Sequence, residues 1–147
     1  MLFRSITLRG RTSRSIVDTP AVLTAPTRPY RIGRPYWKKG RGLVELPVQV
    51  TRGPRLPFFG MSVTAGGPHV AKLLARACAG EPLVNLELHG IDVLDAADGL
   101  EALRPHQHDV RVPRERKVAA LRAAIEELRN EGYAFVTLRD AVDRLAL

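Results

Sequence analysis

The residues with the clearest chemical potential end a short apolar run in LVNLELHGIDVLDAADG, at residues 83–99. The apolar residues at 83–88 predict a buried strand, and His89 stands where that strand ends. Asp92 follows three residues later, where it could accept a hydrogen bond from one ring nitrogen and leave the other available. Such an imidazole can protonate a leaving group. His89 and Asp92 are therefore catalytic candidates, and the alternative is a histidine that only hydrogen-bonds the turn.

Two further residues could bind a substrate near this histidine. Glu87 alternates with His89, so both side chains point the same way if the strand continues. Trp37 directly follows the second of two Arg-Pro-Tyr motifs, at 28–30 and 34–36. Aromatic and basic residues together could form a surface that stacks on a sugar or grips a phosphate; the alternative is that these rings cap the end of a core.

The segments that must position these residues alternate between the two-residue period of a strand and the 3.6-residue period of a helix. The pattern predicts these segments in order: a strand in GLVELPVQV at 42–50, a helix from Pro68 to Gly80, a strand at 83–88, a helix at Arg114–Asn130, a strand at 133–136 and a helix after Thr137. This alternation is typical of the α/β class, with parallel strands joined by right-handed crossovers. A ligand site is then expected at the carboxyl ends of the strands. Three such units form either a small open sheet or part of something larger.

Charge divides the 147 residues into two unlike parts. Residues 1–55 carry ten Arg and two Lys against Asp18 and Glu45, whereas the remainder is slightly acidic, and the whole chain is +8. The basic part could be a nucleic-acid arm, a transit peptide or a basic surface loop. No known nucleic-acid-binding signature occurs, so a nucleic-acid partner is disfavoured.

The remaining composition limits the setting of the protein. No apolar run reaches the length of a membrane span, so no membrane partner is expected. No signal peptide is visible, so a cytoplasmic location is the default expectation. The single cysteine, Cys78, lies in an apolar helical context and is expected to be an inert packed thiol.

Four blocks carry a family resemblance: RPYW, GLVELPVQVT, PLVNLELHGIDVLDAADG and GYAFVTLRDAV. In that order they resemble the C-terminal part of bacterial polysaccharide deacetylases of the NodB-homology family. The resemblance implies a partial (β/α) barrel of the glycoside hydrolase/deacetylase type over residues 43–147, preceded by an irregular basic segment at 1–42. It also implies metal-dependent hydrolysis of N-acetyl groups on a carbohydrate substrate, with His89 protonating the departing amine.

The chain departs from that family at the metal site. It has no Asp-Asp pair and no H-x-x-x-H pair. No metal ligand is therefore assigned in this chain, and a divalent, zinc-like metal is expected only for the complete family domain. The expectation is a chain without the first barrel strands, inactive alone and able to self-associate through an exposed sheet edge.

An alternative of another class is a basic binding module for nucleic acid or an anionic polymer. Its candidate residues are Arg4, Arg9, Arg11, Arg14, Lys38 and Lys39. Such a module would neutralise phosphates without reading sequence.

Overall fold

A computed structural model describes residues 20–145 and residue 147. Residues 1–19 of the predicted basic segment at 1–42 lie outside the described residues. They include four of the six candidates of the binding module, Arg4, Arg9, Arg11 and Arg14. The regular elements are β1 (Tyr30–Ile32), β2 (Lys39–Glu45), α1 (Gly60–Cys78), α2 (Arg114–Asn130) and α3 (Leu138–Leu145). Short 3-10 turns precede β1 and fill the connection between α1 and α2.

The sheet is a two-stranded antiparallel hairpin, so the expected partial (β/α) barrel is wrong. β1 pairs with β2 through Tyr30 opposite Glu45 and Arg31 opposite Val44, with an irregularity after Arg31. Part of the predicted irregular segment at 1–42 thus lies in this hairpin. Among the described residues, no parallel strand pair forms, because segments 83–88 and 133–136 are not paired in a ladder.

The predicted strand at 42–50 is displaced toward the N-terminus. β2 ends at Glu45, two residues before Pro47. Proline has no N–H to donate to a ladder, which explains why regular pairing stops there. Beyond it the chain is held by isolated contacts, including an antiparallel bridge between Val50 and Pro57.

The first helix begins at Gly60, eight residues before the predicted start, and Pro68 begins its second half. α1 consists of two helical pieces that meet at Gly67, whose φ of 74° and ψ of −178° are non-helical. Glycine adopts this conformation without a Cβ clash. Pro68 then opens the second piece, where its missing N–H is not needed.

The core lies between α1 and α2 and is rich in small side chains. Its buried members are Phe58, Val63, Ala71, Ala75, Cys78, Ala120, Leu121, Ala124 and Leu128. The larger apolar residues Val70 and Leu73 of α1 are 41% and 63% exposed. Small side chains let two helices approach closely. The side of α1 that carries Ala71 and Ala75 therefore contacts α2, rather than the side that carries Val70 and Leu73.

One buried carboxylate ties the two helices together. Glu127 of α2 is 3% exposed and contacts Arg76 of α1 at 2.6 Å and Lys72 at 3.4 Å. Burial opposes the ionisation of Glu127, but the hydrogen bond and charge of Arg76, followed by Lys72, hold its pKa below the ordinary value.

Cys78 closes the α1 side of the core as a fully buried free thiol. Burial, reinforced by the charge of Glu81, raises the pKa of Cys78 to about 12. A thiol that stays protonated is a poor nucleophile. The predicted packed, inert cysteine is confirmed.

The two C-terminal helices follow the sequence closely, whereas the predicted strand at 133–136 does not form. α2 has the predicted bounds, and Gly132, just after it, has a φ of 87°. Thr137 accepts a hydrogen bond from the Asp140 backbone N–H at 3.1 Å and so caps α3. Among the residues that the structure describes, no helix is both long and apolar enough to cross a membrane.

Candidate functional site

His89 lies at the junction between an extended segment and a 3-10 turn. Its backbone is extended, with φ −113° and ψ 163°, and the turn Gly90–Asp92 follows directly. The side chain is 61% exposed, so the imidazole is accessible to a ligand. The segment before it forms no strand, but it still delivers His89 to the surface.

Two carboxylates flank the imidazole of His89. Its Nε2 lies 4.0 Å from Glu87 Oε1, and its Nδ1 lies 3.8 Å from Asp92 Oδ2. These distances are too long for hydrogen bonds but short enough for charge interaction. The structure therefore brings together three of the four residues that the sequence singled out.

Asp92 holds the backbone of the histidine rather than its ring. Its Oδ2 accepts a hydrogen bond from the His89 backbone N–H at 2.6 Å, and the residue is 1% exposed. The expected hydrogen bond from a ring nitrogen of His89 to Asp92 is replaced by this contact, because the turn aims the carboxylate at the N–H three residues earlier. Asp92 is thus a positioning residue.

A buried lysine of α2 holds the turn Gly90–Asp92 through hydrogen bonds to the backbone. Lys117 is fully buried, and its Nζ donates to the carbonyl oxygens of Ile91 at 2.8 Å and Leu94 at 2.5 Å. These two carbonyls lie on either side of Asp92. The ammonium group therefore holds the turn through two charge-assisted hydrogen bonds.

Asp109 adds a second buried carboxylate to this region. Burial and then the charge of Asp92 raise its pKa, while Lys117 and His108 act in the opposite direction. The positive charge of Lys117 therefore offsets part of the effect of Asp92 on Asp109.

The start of α1 completes the site through Gly60. Its backbone N–H donates to the Glu87 carbonyl at 2.9 Å. A Cβ at this position would lie 1.9 Å from Asp92 Oδ2, so only glycine lets α1 begin this close to the carboxylate.

Glu87 contributes an oxygen that the site leaves unsatisfied. Its Oε2 is buried and has no hydrogen-bond partner among the described residues. A buried carboxylate oxygen without a donor is costly, and such groups are often completed by a ligand. Glu87 therefore retains its predicted substrate-binding role as a candidate.

Trp37 is the predicted site residue that is placed elsewhere. It lies in the turn between β1 and β2, and its ring contacts Tyr36 edge to face at a centroid distance of 4.9 Å. Its described contacts do not connect it to His89.

A zinc-like metal is expected only for the complete family domain, and the described residues do not test that expectation. Within 20–145 and 147, no group of three or more His, Cys, Asp and Glu side chains could hold an ion. Of the two carboxylates beside His89, Asp92 accepts a hydrogen bond from the His89 backbone N–H, and Glu87 Oε2 has no donor among the described residues.

Sequence reasoning missed Lys117 and Gly60, although one of them left a signal. Lys117 precedes Ala120 and Ala124 at helical spacing, so it stands on the buried stripe of α2. A lysine on such a stripe must find acceptors, which marks it as a structural clamp. Gly60 left no comparable pattern, because its role depends on a contact with Asp92, 32 residues later.

Comparisons with known proteins found no match for this chain. No family model matches the chain, and no curated protein or solved structure matches it.

Proposed function

We propose that this chain takes part in hydrolysis of N-acetyl groups on carbohydrate, as its resemblance to polysaccharide deacetylases implies, with His89 as the proton donor. One observation carries the proposal: an exposed imidazole stands between two carboxylates on a turn that Asp92, Lys117 and Gly60 hold in place. This arrangement supports proton transfer at a defined point.

Amide hydrolysis explains why a proton donor is needed. Water adds to the acyl carbon, and the carbon–nitrogen bond then breaks with the nitrogen leaving as an amine. An amine anion is too poor a leaving group, so the nitrogen must gain a proton as the bond breaks. A protonated His89 can give that proton, and its exposed ring lies within 4.0 Å of the carboxylates of Glu87 and Asp92.

Because the chain is expected to be inactive alone, the test joins it to the metal-binding N-terminal part of a deacetylase of that family and measures acetate release from N-acetylated glucosamine oligosaccharides, with and without added zinc. His89→Ala is expected to lower the turnover by roughly 10²–10⁴-fold, the usual contribution of general acid catalysis. His69→Ala is the matched control, because His69 is exposed on α1 and lies apart from the turn.

Binding gives a second readout that does not depend on turnover. The imidazole NMR signals of His89 should shift saturably with the N-acetylated oligosaccharide, and those of His69 should not. Full turnover in His89→Ala would reduce His89 to a turn residue. Absence of both acetate release and saturable shifts would contradict the carbohydrate assignment.

A further inference from the structure

A basic cleft lies at the opposite end of α1 from His89. It has a volume of about 450 Å³ and is formed by the chain at 25–28, the turn at 49–55 and Glu81. This volume falls in the range of small-molecule sites, about 300–1,000 Å³. Gln49 and Thr51 in its wall are 3% and 2% exposed, so its polar floor is part of the folded structure.

Among the residues that the structure describes, three arginines line this cleft and one carboxylate faces them. Arg28 contacts Glu81 in a two-pronged arrangement, with Nε at 2.7 Å and Nη2 at 3.3 Å from the two oxygens. Arg52 Nε lies 4.0 Å from the same carboxylate. Because Arg55 also lines the cleft, three positive charges oppose one negative charge there.

The protein holds each guanidinium by a separate contact. Arg52 donates from Nη1 to the Ala79 carbonyl at 3.1 Å, and Arg55 donates from Nη2 to the Ala25 carbonyl at 3.3 Å. A guanidinium has five N–H groups, so these contacts orient it and leave further donors for a ligand. Glu81 plays the same orienting part for Arg28.

Backbone geometry at the cleft also indicates a ligand-binding site. Arg55 has a φ of 55°, in the left-handed region that residues with a side chain rarely adopt. Strained residues of this kind concentrate at ligand-binding loops, where the surrounding structure maintains them.

We propose that this cleft binds the phosphate group of a small phosphate monoester. A dianionic phosphate matches the excess of two positive charges, and its oxygens match the paired N–H groups that arginine presents. The remaining volume accommodates the organic part of the ligand.

Titration calorimetry of the full chain at low ionic strength tests the cleft, with inorganic phosphate, glucose 6-phosphate and glucose as probes. Both phosphates should bind at one site per chain, and glucose should not bind. If only inorganic phosphate binds, the cleft holds the free anion and the phosphate-monoester proposal is overturned. Arg55→Gln should weaken binding at least tenfold, and Arg55→Lys should weaken it less, because the charge remains while the planar fork is lost.

Arg122→Gln is the control, since it removes the same charge from an exposed position on α2. It should leave the affinity within twofold. Arg52→Gln gives a second test if Arg55→Gln does not melt cooperatively.

Equal weakening by Arg122→Gln would overturn the proposal in favour of a diffuse basic surface. So would the absence of saturable phosphate binding, or binding only to single-stranded DNA. Because the cleft and His89 lie at opposite ends of α1, acetate release and phosphate binding can fail independently.

Discussion

Gly60 shows how strongly one residue constrains the candidate site. Gly60→Ala places a methyl group on the Asp92 carboxylate, so we expect the free energy of unfolding to fall by about 1–3 kcal/mol, the usual cost of overpacking. Urea denaturation measures this change. Gly90→Ala is the control, because its Cβ would meet only Leu94 Cδ1 at 4.0 Å. Equal losses in both variants would contradict the packing argument.

Replacing Lys117 tests whether its hydrogen bonds hold the turn after His89. Lys117→Met removes both hydrogen bonds to the turn and leaves Asp109 without the charge of a buried cation, so we expect a loss of roughly 3–5 kcal/mol in unfolding free energy. Lys72→Met should cost about 1 kcal/mol or less, because Lys72 is half exposed. A Lys117 variant as stable as the wild type would show that the turn holds without its clamp.

At the scale of elements, the contact between α1 and α2 depends on the ionised form of Glu127. Because Arg76 and Lys72 lower the Glu127 pKa, this group stabilises the fold above its ordinary pKa of 4.5, and the contribution is lost as the pH falls through the lowered value. We therefore expect the melting temperature to fall at acidic pH below 4.5, and Glu127→Gln to remove part of that dependence.

Thermal melts between neutral and acidic pH measure this effect. Glu126→Gln is the control, because Glu126 is exposed on the same helix. If Glu127→Gln leaves the acid-dependent fall unchanged, the ion pairs with α1 do not supply it.

At the scale of the whole molecule, an apolar groove stays open between segments 82–88 and 133–138. It has a volume of about 700 Å³, and Phe135 and Leu138 beside it are 60% and 62% exposed. Exposed apolar surface next to unpaired extended backbone favours association. We therefore expect the chain to self-associate through this groove, with a sedimentation coefficient that rises with concentration.

Replacing Phe135 and Leu138 together by serine should shift the chain toward monomer without changing its net charge. Leu103→Ser is the control, because Leu103 is also exposed but lies in the connection between α1 and α2. A wild-type chain that sediments as a monomer at every concentration would exclude this association.

The sequence by itself determined the features that depend on neighbouring residues. The bounds of α2, the helix start at Pro68 and the Thr137 cap follow from local periodicity and backbone chemistry, which act over a few residues. The closeness of His89 and Asp92 is of the same kind, because three residues of turn connect them.

The tertiary structure alone decided which segments pair and which faces are buried. An apolar run such as 83–88 becomes a strand only if another segment supplies backbone partners along its length, and here it receives two isolated bonds, at Asn85 and Glu87. The α/β barrel expectation failed for this reason. Gly60 and Lys117 were likewise set by contacts distant in sequence, since burial and hydrogen bonding depend on what packs opposite a residue rather than on its neighbours along the chain.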